Sequence, residues 1–365
     1  MTQDSQLTTH DFFMHRCLQL AKLGAGYVSP NPMVGAVLVN NGRIIGEGYH
    51  KKFGEAHAEV NCLNSVKDED RRLIPESVLY VSLEPCSHFG KTAPCTDLII
   101  KNRIPKVVIG CGDPSKEVKG KGVEKLIAAG VRVEAGILEK ECKEFNKRFF
   151  TFHTQHRPYI ILKWAETADG KIAPLNPPEG GTLENPSIKR LLISNEYTNR
   201  LVHKWRSEES SILVGTNTAL LDNPELTTRN WSGPSPVRLV VDMDLKLPAS
   251  LKVFNDKQRT VIFNTVKHEE NGNPAYYQVT EDVSLAQQIV NALYQMKIQS
   301  VIVEGGARLL QSFIDEDMWD EARVICNKQL TIGNGLSGPG LPAMFATGEL
   351  TIENDLISFY QNHAR

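Results

Sequence analysis

Long apolar runs are absent from this 365-residue chain. A membrane-spanning helix needs about 18 or more consecutive apolar residues, whereas residues 33–39 already form one of the longest apolar stretches here. An excess of one charge is also lacking, since 41 Lys and Arg stand against 43 Asp and Glu. The sequence therefore argues against a membrane protein and offers no bulk electrostatic attraction to nucleic acid.

Signs of secretion and of disordered composition are lacking as well. Residues 1–11 are polar and include acids, which is not typical of a signal or transit peptide. Seven cysteines, an odd number spread over a long chain, do not suggest a disulfide framework. With 41% hydrophobic residues, 27 Gly and 19 Pro, the composition is that of an ordinary globular protein. We therefore expect a cytoplasmic protein whose cysteines bind a metal or take part in catalysis.

Length and patterning predict two α/β domains. At roughly 100–200 residues per domain, the length allows two domains or at most three. Apolar strands alternate with amphipathic helices, including a hairpin across Asn41-Gly42 and a single charged helix over residues 139–152. The pattern restarts after a polar, proline-ended stretch. We place the domains at residues 1–152 and 159–365, joined by a linker at 153–158.

The strongest chemical pattern is His57-x-Glu59 followed by Cys86 and Cys95. One imidazole and two thiolates suit tetrahedral zinc, and three protein ligands leave the fourth position for water. Zinc lowers the pKa of that water toward ~7, and Glu59 is placed to move protons without binding the metal. Because Cys86 follows a strand and a proline, we expect it at a helix N-terminus, where a thiolate is favoured.

Other interpretations of this pattern remain open. The zinc-deaminase signature places two residues between its cysteines, whereas eight residues separate Cys86 from Cys95 here. The His-x-Glu pair could be accidental, with the thiols merely buried. Alternatively, His88 could complete a closed structural zinc site, which would have four protein ligands.

Residues 24–136 resemble the deaminase half of the bifunctional pyrimidine deaminase/reductase family of riboflavin biosynthesis. The matching segments are residues 26–35, 46–50, 57–60 and 82–95, and the last is the most diagnostic because its eight-residue insert is typical of the family. The resemblance implies a cytidine-deaminase-like, three-layer α/β/α domain. It also places Asn31, His50, His88 and Lys91 in the substrate pocket, where amide and imidazole groups suit a pyrimidine and a lysine suits a phosphate. Asn31 could instead shape a turn between two prolines, and Lys91 could be a solvated loop charge.

A second site is suggested by residues 301–310, which combine an apolar strand, a glycine turn and a helix start. Gly305 and Gly306 would let backbone amides approach an anion at a helix N-terminus, although a plain tight turn fits equally well. No G-x-G-x-x-G motif in the required strand-to-helix setting is found, so a Rossmann domain is not expected.

Residues 159–360 are similar to the reductase half of the same family, which implies a dihydrofolate-reductase-like α/β fold and NADPH as the cofactor. By this resemblance, the nicotinamide-cofactor positions are Ser194, Asp222, Gly305, Gly306, Ala307, Arg308 and Leu309. The substrate-side candidates are Lys163, Arg200, Arg206, Leu226, Arg229 and Glu304. Arginine suits a phosphate because its planar fork donates two hydrogen bonds at once. Arg200 and Arg206 could instead form an exposed helix face.

Two segments depart from the family pattern. Between residues 174 and 195 the family has a short segment with a cofactor-contacting tryptophan, whereas this chain has a longer Pro/Gly-rich stretch without Trp. This difference bears on cofactor affinity and on the choice between NADPH and NADH. Residues 113–116, which read Asp-Pro-Ser-Lys where the family commonly has D-P-N-P, concern the shape of a loop outside the zinc ligands.

The resemblance implies a bifunctional enzyme of riboflavin biosynthesis. Zinc-dependent hydrolysis would remove ammonia from a diamino-ribosylamino-pyrimidinone phosphate, and NADPH would then reduce the ribosyl chain to a ribityl chain. The expected partner is this small phosphorylated pyrimidine, not nucleic acid or a membrane, and the family suggests a homo-oligomer, either a dimer or a tetramer. The alternatives are a nucleic-acid deaminase with an accessory domain, a non-catalytic zinc-stabilised binding protein, and a deaminase whose reductase half is impaired.

Overall fold

The structure is a computed structural model that describes residues 9–89, 93–115, 118–175 and 191–362. The chain divides into two compact units, Met1–His156 and Arg157–Arg365. The division falls within residues 153–158, the stretch that the sequence analysis takes as the linker. Among the described residues, no helix is both long and apolar enough to span a bilayer.

A five-stranded sheet forms the centre of the first unit. Its strands are β1 Gly35–Asn40, β2 Arg43–Tyr49, β3 Val78–Leu83, β4 Lys106–Cys111 and β5 Arg132–Ala135. Its helices are α1 Thr9–Ala21, α2 Ala58–Asn64, α3 Cys95–Lys101, α4 Lys121–Ala128, α5 Glu139–Phe145 and α6 Lys147–Gln155. The strand order is β2-β1-β3-β4-β5. Strand β1 runs antiparallel to β2 and β3, whereas β3, β4 and β5 are parallel.

The layers of the first unit follow from the alternation of side chains along its buried strands. Leu79 and Val81 of β3 share a core with Cys62 of α2. Tyr80, between them, packs with Met14 of α1 on the opposite face. Helices therefore cover both faces of the sheet, and the predicted three-layer α/β/α domain is confirmed.

The single helix predicted over residues 139–152 is wrong, because the helix is interrupted at Asn146. The Asn146 side chain accepts a hydrogen bond from Met33 N and donates one to Met33 O, both at 2.9 Å. Helix α5 ends just before this residue and helix α6 begins just after it. The interruption depends on a partner 113 residues away in sequence, which helical periodicity cannot reveal.

A nine-stranded mixed sheet dominates the second unit. Its strands are β6 Tyr159–Thr167, β8 Ser211–Val214, β9 Val237–Val241, β10 Thr260–Asn264, β11 Ala275–Gln278, β12 Ser300–Glu304, β13 Glu321–Asn327, β15 Gly348–Ile352 and β16 Asp355–Gln361. Their order is β11-β10-β9-β8-β12-β6-β13-β16-β15. A separate pair joins β7 Lys171–Pro174 to β14 Gly335–Ser337. The helices are α7 Glu196–Glu208, α8 Thr216–Asp222, α9 Leu285–Gln295 and α10 Ala307–Asp315.

Helices cover both faces of this larger sheet as well, which confirms a second α/β domain. Leu162 of β6 shares a core with residues of α9 and α10, whereas Ile161 packs with Val202 of α7 on the other face. Lys163, the next residue of β6, therefore faces the α7 side. The parallel pairing of β6 with β12 sets Lys163 directly opposite Glu304. The charged residue at the end of β12 thus meets a charged residue in the middle of β6.

Candidate active sites

The candidate metal centre of the first unit lies where α2 and α3 begin. His57 is the residue that caps the N-terminus of α2, and Cys95 is the first residue of α3. Cys86 lies in the irregular loop that follows β3, so the prediction that it begins a helix is wrong. Its sulfur nevertheless accepts a hydrogen bond from Cys95 N at 3.3 Å, the first N–H of α3. The first N–H of α3 is therefore hydrogen-bonded to Cys86, although Cys86 is not part of that helix.

Three ligand atoms converge here in a geometry that suits zinc. His57 Nδ1 lies 3.6 Å from Cys86 Sγ and 3.4 Å from Cys95 Sγ, and all three atoms lie within 4.8 Å of one another. Nitrogen and sulfur ligands at tetrahedral zinc stand about 3.5–3.8 Å apart, given Zn–N and Zn–S bonds of about 2.1 and 2.3 Å. Among the described residues, no fourth donor joins this group, and His88 is exposed. The donor set therefore fits an open site better than a closed structural one.

The thiolate character of Cys86 has an identifiable cause. A hydrogen bond from the Cys95 side chain and the nearby His57 imidazole outweigh burial and lower the pKa of Cys86 to about 4. The same hydrogen bond, together with burial, raises the pKa of Cys95. At least one sulfur is thus a thiolate at neutral pH, the form that binds metal.

Glu59 lies beside this centre in the first turn of α2 and is only 3% exposed. Burial first, and then the negative charge of Cys86, raise the pKa of its carboxyl group. A hydrogen-bond interaction with the Cys95 side chain lowers this pKa. The carboxyl group therefore lies close to the sulfur ligands. A buried carboxyl group with a raised pKa next to a metal site is suited to accept and release protons.

Two of the four predicted pocket residues are brought together next to His57. His50 Nδ1 donates a hydrogen bond to Ala56 O at 3.1 Å, and Asn31 Nδ2 donates one to His50 Nε2 at 3.1 Å. The His50 and His57 rings stand edge to face with centroids 5.3 Å apart. Burial lowers the pKa of His50, so the imidazole is neutral and carries its proton on Nδ1. His88 is exposed on the loop after Cys86, and Lys91 lies outside the described residues.

Sequence reasoning missed Glu84, which anchors the loop after β3 that contains Cys86. Its buried carboxylate accepts hydrogen bonds from four backbone N–H groups, those of Asp113, Gly120, Gly122 and Val123, at 3.3, 3.1, 2.9 and 3.3 Å. The departure at residues 113–116 begins in this fastened segment, where burial raises the pKa of Asp113; residue 116 lies outside the described part. Glu84 stands two residues before Cys86, but nothing local indicates that its partners lie 29 to 39 residues further on.

The second unit contains a buried cluster of charges at the end of β12. Arg206 of α7 donates two hydrogen bonds to Glu304, from Nε to Oε1 at 2.8 Å and from an Nη to Oε2 at 2.7 Å. Lys163 Nζ stands 3.6 Å from the same Oε2. Burial alone would raise the pKa of Glu304, but Arg206 and Lys163 lower it to about 2. Glu304 is therefore ionised at neutral pH and is a poor proton donor.

The glycine turn after β12 is shaped for close approach by an anion. Gly305 and Gly306 adopt φ angles of +86° and +78°, which favour glycine. A Cβ atom added to Gly305 would stand 3.0 Å from the Thr218 side chain, at the start of α8. Helix α10 begins immediately afterwards, at Ala307. Backbone N–H groups at this helix start, next to a turn that admits no side chain, fit the pyrophosphate of a dinucleotide.

The other predicted reductase residues differ in how far they are exposed to solvent. Leu226 is buried and has a backbone φ of +54°, a costly conformation for leucine that often marks functional sites. The exposed candidates are Asp222, Arg229 and Arg308. Arg200 is also exposed and stacks over the Tyr197 ring, so the structure favours the exposed-face interpretation for Arg200. It does not favour that interpretation for Arg206, whose side chain is only 13% exposed.

The segment that lacks the family's tryptophan falls mostly outside the described residues, which omit 176–190. At its end, Ser194 lies half-buried just before the start of α7, 3.5 Å from Asn199 Oδ1. Asn195, the next residue, caps α7 by accepting a hydrogen bond from Thr198 N at 2.9 Å.

Comparisons with known proteins identify the family of both halves of the chain. A family model for the cytidine and deoxycytidylate deaminase zinc-binding region matches residues 7–111, and a model for the RibD C-terminal domain matches residues 158–336. The riboflavin biosynthesis protein RibD of Aquifex aeolicus is 40% identical over 330 residues, which cover 89% of this chain and 88% of that protein. The chain belongs to the RibD family. The RibD protein of Actinobacillus pleuropneumoniae is 35% identical over 337 residues, covering 90% and 86%.

Solved RibD structures share the fold over nearly the whole chain. The diaminohydroxyphosphoribosylaminopyrimidine deaminase/5-amino-6-(5-phosphoribosylamino)uracil reductase of Thermotoga maritima has a TM-score of 0.82 at 35% identity, covering 97% of this chain and 98% of that one. A RibD structure from Acinetobacter baumannii has a TM-score of 0.85 at 26% identity, covering 97% and 99%. The chain is thus a bifunctional deaminase and reductase of riboflavin biosynthesis, with zinc and NADPH as cofactors, as the sequence analysis predicted.

Proposed function

We propose that the first domain deaminates a diaminohydroxyphosphoribosylaminopyrimidine and that the second reduces a 5-amino-6-(5-phosphoribosylamino)uracil, the two activities named for the Thermotoga maritima relative. The observation that carries the first assignment is the buried Glu59 carboxyl group beside the convergent ligand atoms of His57, Cys86 and Cys95. An open site with an adjacent proton carrier suits hydrolysis of an amine-bearing ring carbon.

In the deaminase site, each residue has a distinct task. Zinc, held by His57, Cys86 and Cys95, would act as a Lewis acid that lowers the pKa of water in its open position. The Glu59 carboxylate would accept a proton during hydrolysis and would release it to the departing amine. Its raised pKa supports this task, because a carboxyl group that titrates nearer neutral pH can both accept and release a proton.

Asn31 and His50 would orient the pyrimidine. The Asn31 amide nitrogen is engaged by His50, which leaves the amide carbonyl as the group that accepts a hydrogen bond from the ring or its amine. The neutral tautomer of His50, fixed by Ala56 O, holds Asn31 in this orientation. We keep His88 as a further contact to the pyrimidine and Lys91 as the contact to the ribose phosphate.

In the reductase site, NADPH would supply the hydride, with its pyrophosphate at the turn of Gly305 and Gly306 and the start of α10. Asp222, Arg308 and Ser194 are proposed as further cofactor contacts. Glu304 holds the Arg206 fork and the Lys163 ammonium group at fixed positions for the phosphoribosyl substrate. Leu226 and Arg229 would border the same substrate, and Arg200 is a more remote candidate.

The deciding experiment follows ammonia release and NADPH oxidation separately in Glu59→Gln. Removing the proton carrier should lower deamination by about 10²-fold or more, while bound zinc and reduction of the deaminated substrate stay at wild-type levels. Glu69→Gln, at an exposed position in the same domain, is the matched control. Unchanged deamination in Glu59→Gln would remove Glu59 from the mechanism, and ammonia release without any NADPH oxidation would leave only the deaminase half.

We further propose a cytoplasmic location and a homo-oligomer, either a dimer or a tetramer. The location is supported by the seven cysteines, none of which forms a disulfide bond. The oligomer rests on family resemblance. Light scattering of the purified chain would decide the oligomeric state, and cell fractionation would decide the location.

A further inference from the structure

Asn61, a residue of helix α2, makes two hydrogen bonds that the helix itself does not need. Its side-chain Nδ2 donates to Tyr49 O at 2.8 Å and to Ala56 O at 3.1 Å. Tyr49 is the last residue of β2, and Ala56 lies just before the start of α2, so the two carbonyls stand near opposite ends of one loop. Asparagine is a poor helix former, because its side chain competes for backbone hydrogen bonds. The Asn61 side chain therefore stabilises this loop and not the helix.

A close approach of α2 to β2 brings the Asn61 amide to these carbonyls. A Cβ atom added to Gly48 would stand 2.2 Å from Cys62 N and 2.6 Å from Ala58 O. Atoms do not pack at such distances, so any other residue at position 48 would push the helix away from the strand. The absence of a side chain in this part of β2 thus allows a side chain as short as asparagine to reach Tyr49 O.

The loop that Asn61 holds contains His50, one of the proposed pocket residues. Ala56 O accepts a hydrogen bond from His50 Nδ1 at 3.1 Å in addition to the one from Asn61. Because a carbonyl oxygen can only accept, His50 Nδ1 carries a proton. His50 Nε2 accepts from Asn31 Nδ2 at 3.1 Å, so this second ring nitrogen is bare. A continuous chain of hydrogen bonds thus leads from Asn61 through Ala56 O and His50 to Asn31.

Asn61 holds the backbone of His50 as well as its ring. The bond to Tyr49 O fixes the peptide group that leads into His50. On the other side of that peptide group, the His50 N–H donates to Val34 O at 2.9 Å. With the backbone and the ring both fixed, the lone pair on His50 Nε2 points in one direction. That direction decides how the Asn31 amide is turned.

We propose that Asn61 is a positioning residue of the deaminase site, which fixes His50 so that the carbonyl of Asn31 faces the pyrimidine. This inference rests on the proposed deaminase activity. Without Asn61, the Ala56 carbonyl and the His50 ring would be free to turn. The Asn31 amide would then present its NH₂ group to the substrate as readily as its carbonyl. Substrate binding would weaken, whereas the zinc ligands and Glu59 would all still be present.

The first test is the split between KM and kcat for ammonia release from diaminohydroxyphosphoribosylaminopyrimidine. Asn61→Leu keeps the approximate size of the side chain but has no donor. We expect it to raise KM about tenfold and to lower kcat much less, because binding and not proton transfer is affected. Asn64→Leu, at an exposed position of the same helix, is the matched control and should keep the wild-type KM. Bound zinc and NADPH-dependent reduction, measured in the same preparations, report folding.

The second test asks whether Asn61 acts through Asn31. Asn31→Ala alone should raise KM, and Asn61→Leu should add less than about twofold in that background, because the amide that it positions is gone. A merely structural role would lower the fraction of folded, zinc-loaded enzyme, which reduces kcat per chain and leaves KM unchanged. An unchanged KM in Asn61→Leu, or a tenfold rise that persists in the Asn31→Ala background, overturns the inference. A wild type that releases no ammonia refutes the proposed deaminase activity itself, which is a different outcome.

Discussion

Arg206 and Glu304 form a buried ion pair with two parallel hydrogen bonds, at 2.8 and 2.7 Å, between helix α7 and the last residue of strand β12. Both side chains are largely inaccessible to solvent, and Lys163 approaches the same carboxylate from the neighbouring strand. A carboxylate held between two cations stays charged, and it fixes the direction in which the guanidinium presents its remaining N–H groups.

Arg206→Lys tests whether the planar guanidinium group is needed. Lysine keeps the positive charge but donates its hydrogen bonds from a single ammonium nitrogen. We expect kcat/KM for NADPH-dependent reduction to fall about tenfold or more, while deamination by the same chain is unchanged. Lys204→Ala, at a half-exposed position on the same helix, is the control and should match the wild type. Equal loss of both activities would indicate general misfolding instead of a lost substrate contact.

The charge of Glu304 should appear in the pH dependence of stability. Its pKa falls from an ordinary value of 4.5 to about 2 on folding, so the ionised pair stabilises the fold above pH 4.5, and this contribution is lost as the pH drops toward 2. Calorimetric unfolding of the wild type and of Glu304→Gln should differ most above pH 5 and converge toward acid. A difference in unfolding temperature that stays constant from pH 6 to the lowest pH at which both variants fold would contradict this account.

Loss of a zinc ligand should abolish deamination but leave reduction intact. We expect Cys86→Ser and Cys95→Ser to lose bound zinc and deamination, because a neutral hydroxyl replaces the thiolate. Reduction of the deaminated substrate should persist, since the metal ligands all belong to the first unit. Metal analysis and the two separate assays check this prediction. Cys326→Ser, in the second unit, should keep both zinc and deamination.

Glu84→Gln should destabilise the deaminase domain without changing any of the zinc ligands. A glutamine amide sets an NH₂ group against backbone N–H donors, so part of the four-bond network is lost and buried donors are left unpaired. We expect a loss of about 1–3 kcal/mol in the free energy of unfolding and lower deamination, with reduction intact. Glu76→Gln, at an exposed position in the same domain, is the matched control, and equal stability of the two variants would argue against the proposed task of Glu84.

Several features of the sites follow from short stretches of sequence. The ligand types at His57, Cys86 and Cys95 and the positive-φ turn at Gly305-Gly306 are local properties, set by donor chemistry and by the absence of a Cβ atom. The eight-residue insert between the cysteines makes residues 82–95 the most diagnostic of the four segments that carry the family resemblance. The exact environment of Cys86 was not predictable, because its sulfur meets the N–H of Cys95 in space and not along a shared helix.

The sequence by itself determined the two α/β halves, the zinc-binding donor set and the glycine turn, since these depend on periodicity and on residue types close together in the chain. Only the tertiary structure decided that Arg206 meets Glu304 across 98 residues and that Asn31 bonds to His50. It also decided that Arg200 stays exposed while the Arg206 side chain is largely shielded from solvent. The physical reason is that strand order and parallel register choose which distant side chains meet, and burial then sets their charge state.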